Sequence, residues 1–195
     1  MRSARICVIA LAVSVGAVTS VWAQAPVKPG GGIEVGLDIS HVSPASTGQT
    51  IEFAPGLLAG IFGTVPVTKT IGLQVGADYV QKHTKINNNE SNIDYLEIPI
   101  MARMPLFKGL YMNEGVGFSF PVKATGKSAT AGTETDFKDQ VTSPDFSIII
   151  SGGIPINKKA AIEIRYDGGF KKVIDLPSAP VQRQRVWGFL LSWKL

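Results

Sequence analysis

Cysteine is almost missing from this chain. A single residue, Cys7, stands among 195, within an N-terminal stretch that reads as a leader. A mature chain beginning near Gln24 therefore has no disulfide, no thiol nucleophile and no cysteine-based metal site. Charge is scarce too, at 17% of residues. The formal net charge of +4 falls by two once Arg2 and Arg5 leave with the leader. So small an excess is no basic patch, and nucleic acid is excluded as an expected partner. Beyond Ala25 no apolar run approaches the ~18 residues of a membrane-spanning helix. Yet mean hydropathy is +0.18 and 45% of residues are hydrophobic. That is too apolar for a disordered chain, and 21 glycines are too many for a helical bundle and follow no collagen period. The apolar residues must be arranged some other way.

Part of them sit in the leader. Arg2 and Arg5 form a basic start, Ile6 to Val18 an apolar stretch, and Val21-Trp22-Ala23 a cleavage site before Gln24. This is the three-part pattern of a secretory signal peptide, and the stretch is shorter than the ~20 residues an anchor helix needs. The expected organisation is a signal peptide over 1–23, a short periplasmic linker over 24–31 and one β-barrel domain over 32–195.

The rest follow a two-residue period. Ile162, Ile164, Tyr166, Gly168 and Phe170 alternate with Glu163, Arg165, Asp167, Gly169 and Lys171. A helix would scatter these around its axis, whereas a strand puts the charge on one face. Trp187, Phe189, Leu191, Trp193 and Leu195 alternate in the same way near the C-terminus. Strands are expected at about 32–41, 56–65, 71–82, 93–104, 109–122, 145–155, 161–172 and 185–195. Their lengths suit tilted strands crossing a bilayer. The connections alternate between short (66–70, 105–108, 157–159) and long (42–55, 83–92, 123–144, 173–184). Short turns at one end and long loops at the other indicate an all-β, eight-stranded antiparallel up-and-down transmembrane barrel, closed so that no edge meets lipid.

An eight-stranded interior holds little more than side chains, so the bulky apolar set is assigned outward. Ile33, Val35, Leu37, Leu73, Val75, Tyr79, Leu96, Ile98, Ile100, Ile148, Ile150, Ile162 and Ile164 are the expected lipid face. The expected lumen charge network is Glu34, Asp38, Asp78, Lys82, Glu97, Arg103, Glu163, Arg165 and Asp167, with Gln74, Ser147 and Ser151 beside it. Glycines such as Gly36, Gly76, Gly117 and Gly188 would admit the long side chains. Tyr79, Tyr95, Tyr111, Tyr166, Trp187 and Trp193 are assigned to interfacial girdles. In the fifth strand Glu114 shares parity with Leu110, Met112, Val116 and Phe118, which implies either a bulge or a displaced boundary.

The segment Tyr95-Leu96-Glu97-Ile98-Pro99-Ile100-Met101-Ala102-Arg103 resembles a strand of PorT-like outer-membrane β-barrel proteins. The resemblance extends to Asn113-Glu114-Gly115-Val116-Gly117 and to Ile162-Glu163-Ile164-Arg165-Tyr166, over roughly 32–195. It implies an eight-stranded barrel in the outer membrane of a Gram-negative bacterium and no catalytic residue. It also implies an assembly machinery as partner, which reads the last strand; here that strand ends Trp193-Lys194-Leu195.

Buried charges must be paired to be tolerated, so the lumen residues read as a plug rather than an ion path. His41-Val42-Ser43 resembles the His-x-Ser of lipid A deacylases over three residues, with Glu52 as a distant acid. His83 has no second ligand for a metal. Thr125-Gly126-Lys127-Ser128 lacks the earlier glycine and the helix of a phosphate loop. No catalytic, metal or cofactor-binding residue is assigned, and no cofactor is expected. The leading reading is a non-enzymatic structural or interaction protein. Its expected partners are outer-membrane lipid, lipopolysaccharide, and an envelope or host surface protein met through the mobile-looking loop 123–144. A lipid hydrolase using His41 and Ser43, and a soluble barrel holding an apolar ligand, stay open as alternatives.

Overall fold

The computed structural model describes residues 26–43, 50–107, 109–129, 132–175 and 181–195; the expected leader lies outside them. The strands are β1 (Gly30–Ser43), β2 (Ile51–Pro66), β3 (Gly72–Ile86), β4 (Asn89–Pro105), β5 (Tyr111–Lys127), a three-residue β6 (Glu134–Asp136), β7 (Asp145–Pro155), β8 (Ala160–Gly169) and β9 (Arg183–Lys194). Each barrel strand pairs antiparallel with its neighbours, and β1 closes the ring against β9, from Gly32 opposite Lys194 to Ser43 opposite Arg183. Eight strands form the barrel, and β6 only hangs on the end of β5. Closure leaves no unpaired edge facing lipid.

Alternation sorts the two faces. Along β1, Ile33, Val35, Leu37 and Ile39 point out while Glu34, Asp38 and Ser40 are buried. The same division holds along β8 and β9, where Ile162, Ile164, Trp187, Phe189, Leu191 and Trp193 are exposed. An exposed apolar girth around a polar interior is the reverse of a soluble barrel.

The short turns share a device. β2, β4 and β7 each end in proline, at Pro66, Pro105 and Pro155. Proline has no N–H for the ladder, so the strand stops there. In each turn the residue after the proline then donates to a carbonyl four residues on, Val67 to Ile71, Leu106 to Leu110 and Ile156 to Ala160, at 2.7–2.9 Å.

Toward the other end the strands outrun the sequence expectation. β2 begins at Ile51 rather than near 56, and β5 runs on to Lys127 rather than ending near 122, so each holds a proline, Pro55 or Pro121, within it. Each proline lies in or beside a register shift, between Phe53 and Leu58 of β2 and at the Asp94/Tyr95 step of β4 against β5. A bulge accommodates the missing donor. The expected long connection over 83–92 is instead a tight hairpin. Asn87 and Asn88 adopt φ of 50° and 66°, which a two-residue hairpin turn requires and asparagine tolerates. β2 to β5, at 15 to 17 residues, therefore rise above the ~10 residues needed to cross. β1 begins at Gly30, so the last two residues of the expected linker belong to the barrel.

Glu114 is settled without a bulge. Pairing is continuous from Tyr111 to Pro121 against β4, and Glu114 lies outward opposite Ala102 and Ile150. The lumen residues of β5 are Tyr111, Asn113, Gly117 and Ser119. Tyr95 and Tyr111 are corrections to the expected girdle. Both are buried inside the barrel, because each lies on the parity of its strand's lumen residues, Tyr95 with Glu97 and Tyr111 with Asn113.

Candidate functional site

The barrel interior is built in three storeys. The middle one is ionic and centred on two cations. Lys82, from β3, places Nζ 2.8 Å from Glu97 Oε2 on β4 and 2.6 Å from Asp167 Oδ2 on β8. Ser119 Oγ donates to the same Glu97 oxygen at 2.6 Å. The Tyr95 ring lies 5.2 Å from the ammonium. Arg165, from β8, reaches Glu34 on β1 at 2.6 Å and Asp78 on β3 at 3.0 Å, with Glu163 at 3.6 Å. Asn113 then ties Glu163 to Ser151, donating at 3.1 and 3.0 Å. Lys82 and Arg165 are 2% and 3% exposed.

Glycine makes room for these groups. Gly60 is paired with Glu34 on one side and Asp78 on the other, and a Cβ there would fall onto Asp78 Oδ1. A Cβ at Gly188 would lie 2.6 Å from Asp38 Oδ1. In β4 the Pro99 ring packs over Gly76, and the β3–β4 pairs on either side keep one register. Between the two cation clusters Asp38, Glu97, Arg165 and Asp167 line a space of about 10 Å³, about one water's worth. The middle of the barrel, between the two cation clusters, has no room for an apolar ligand.

The upper storey is apolar. Val42, Ile93, Tyr95 and Ala124 from the strands meet Val141 and Val173 from the loops, with Phe137 and Ile174 packed against them. Val141 bridges to Ile174, next to a single 3₁₀ turn at Lys138–Gln140. This corrects the expectation for loop 123–144. Its first five residues extend β5, and its end folds down as a lid, because Phe137 and Val141 supply the apolar surface that seals the barrel.

The lower storey holds Arg103. It was expected within the charge network but lies at the short-turn mouth, where its guanidinium stacks 3.6 Å over the Tyr111 ring and donates to Gln74 Oε1 at 2.7 Å. Among the described residues it makes no ion pair. Its place opposite Gly72, the first residue of β3, puts it too low to reach the network. The other eight expected charges all lie buried in the middle storey. Asn113 and Ser119 stand outside the expected network, because Glu114 on the opposite parity hides the lumen face of β5. The alternating small residues Asn113, Gly115, Gly117 and Ser119 were the signal.

Among the described residues no hydrogen bond joins His41 to Ser43. His41 points outward, 4.6 Å from the Phe53 ring, and its Nδ1 has no hydrogen-bond partner. Among the described residues no acid is hydrogen-bonded to that atom, and the exposed Glu52 pairs in the ladder with Lys85. His83 contacts Asp94 at 3.3 Å, and Tyr79 donates to the same carboxylate at 2.6 Å. Among the described residues no group of three or more His, Asp or Glu could hold a metal.

Residues 22–175 match a family model described as the outer membrane protein beta-barrel domain. No curated protein matches the chain. The fold is similar to Neisserial surface protein A, with a TM-score of 0.59 and 8% identity over 85% of this chain and 97% of that one. It is also similar to Ail, the attachment invasion locus protein of Yersinia pestis, with a TM-score of 0.53 and 12% identity over 87% of this chain and all of that one. A second Ail structure, in complex with the heparin analogue sucrose octasulfate, has a TM-score of 0.50 and 10% identity over the same share of each chain.

Proposed function

We propose that this chain, which belongs to the outer membrane protein beta-barrel domain family, is a non-conducting, non-enzymatic barrel that acts through its two ends. The observation that carries this is the sealed interior. Lys82 and Arg165 are each held by two close carboxylates, the space between them is about 10 Å³, and an apolar lid covers them. Ions would have to break several buried, charge-assisted bonds to pass. A leader over residues 1–23 would deliver the chain for insertion from the periplasm, with short turns left on that side and long loops outside. The PorT-like branch of the family rests on the Tyr95–Arg103 strand.

The outer end presents the β3–β4 hairpin and the β5–β6 ribbon as a raised wall. Its partner is read as an envelope or host surface protein. Ail was crystallised with a sulfated heparin analogue, but here Lys123, Lys127 and Lys138 are offset by Glu134, Asp136 and Asp139. That balance favours a protein surface over a polyanion.

Planar-bilayer recording tests the sealed interior. The purified barrel is expected to give no stepwise conductance at potentials where a porin control conducts. Steady single-channel steps from the intact protein would overturn the reading.

A further inference from the structure

Above the charge network the barrel is sealed, but its short-turn end is hollow. A cavity of about 640 Å³ opens there, within the size range of small-molecule sites, roughly 300–1,000 Å³. Its charged lining is of one sign: Lys28, Arg103, Lys158, Lys159 and Lys194, with no Asp or Glu. Among the described residues none of these five makes an ion pair. The lumen acid Glu163 is engaged by Asn113 and Arg165.

The cations are brought together by the fold. The Lys194 N–H donates to the Lys159 carbonyl at 2.7 Å, so the last strand and the β7–β8 turn share one rim. The Val27 N–H donates to the Lys69 carbonyl at 3.1 Å and carries the N-terminal segment with Lys28 across the mouth. The charges of Arg103 and Lys28 both act on the Lys194 ammonium. Arg103 is already oriented by the Tyr111 ring and Gln74, and Phe62 and Tyr111 add aromatic lining.

We infer that this mouth is a binding site for a phosphate-bearing ligand, either a soluble organic phosphate of the periplasm or the headgroup of an anionic inner-leaflet lipid. A concave surface of one sign focuses its field on a counter-ion. A planar guanidinium fixed at its base offers the paired donors that a phosphate takes best. Five cations without a carboxylate suit a multiply charged oxyanion, and the aromatic rings can contact its carbon part. This goes beyond the proposed function, since it holds whether or not the lumen conducts.

The test uses the full barrel in phosphatidylcholine nanodiscs, titrated calorimetrically with inorganic pyrophosphate. Saturable binding is expected, weakened by salt and at least tenfold weaker in Arg103→Gln and in Lys158→Gln/Lys159→Gln. Lys127→Gln, at the far end of β5, should bind as the parent does. A second arm uses phosphatidylglycerol nanodiscs, with native mass spectrometry reading retained lipid. A retained phosphatidylglycerol that is lost in the Arg103 and Lys158/Lys159 variants, without pyrophosphate binding, assigns the phosphate to a headgroup. The heat-dependent gel shift confirms that each variant is folded, and Lys194→Gln replaces any that is not. Absence of binding in both arms, or equal binding by the parent and every folded mouth variant, would overturn the inference.

Discussion

Replacing Lys82 with methionine tests the ionic storey most directly. The ammonium lies 2.8 Å from Glu97 and 2.6 Å from Asp167. At an effective dielectric constant of about 20, each contact carries about 6 kcal/mol of Coulomb attraction. Most of that offsets the cost of taking three charges out of water. Lys82→Met keeps the apolar stem but strands two carboxylates on opposite walls with no cation between them. Breaking a buried pair in this way costs about 3–5 kcal/mol, a change of about 10² to 10⁴ in the folded-to-unfolded ratio. Urea unfolding in lipid vesicles, followed by the fluorescence of Trp187 and Trp193, measures it. The triple variant Lys82→Met/Glu97→Gln/Asp167→Asn should recover most of the loss, because no charge is then left to bury. If Lys82→Met instead stays within about 1 kcal/mol of the parent, as an exposed pair would, the carboxylates are hydrated. The sealed interior would then be wrong.

Leu37 is 60% exposed near the middle of β1, between Leu57 and Phe189 on the flanking strands. Leu37→Arg should destabilise the vesicle-inserted barrel by about 2–4 kcal/mol, and an unchanged urea midpoint would show that this face does not meet hydrocarbon. Gly60→Ala should push Asp78 away from Arg165 and lower stability by about 1–3 kcal/mol. The same unfolding assay reads it, and a midpoint equal to the parent's would mean the glycine is not what admits the carboxylate.

Much of the barrel is legible in the sequence because its main signal is local. Side-chain direction in a strand reverses at each residue, so Glu163, Arg165 and Asp167 had to share one face and Ile162 and Ile164 the other. The errors share a local cause as well. The expected bounds of β2 and β5, at 56 and 122, fall short because the register shifts beside Pro55 and Pro121 depend on the partner strand. Asn87-Asn88-Asn89 looked like loop but makes a two-residue turn. Glu114 obscured the lumen face of β5, and Tyr95 and Tyr111 were assigned by residue type when parity places them inside.

The sequence by itself determined the class of the protein, its two faces and the polarity of its interior, since each follows from alternation, length and turn chemistry along the chain. Only the tertiary structure decided which groups meet. Glu34 and Arg165 are 131 residues apart, and Lys82 and Asp167 are 85. What joins them is the stagger of strands around a closed ring, and no local pattern encodes it. The same closure sorts the interior into an apolar lid, an ionic middle and a cationic mouth. Depth along the barrel axis depends on every strand's register at once.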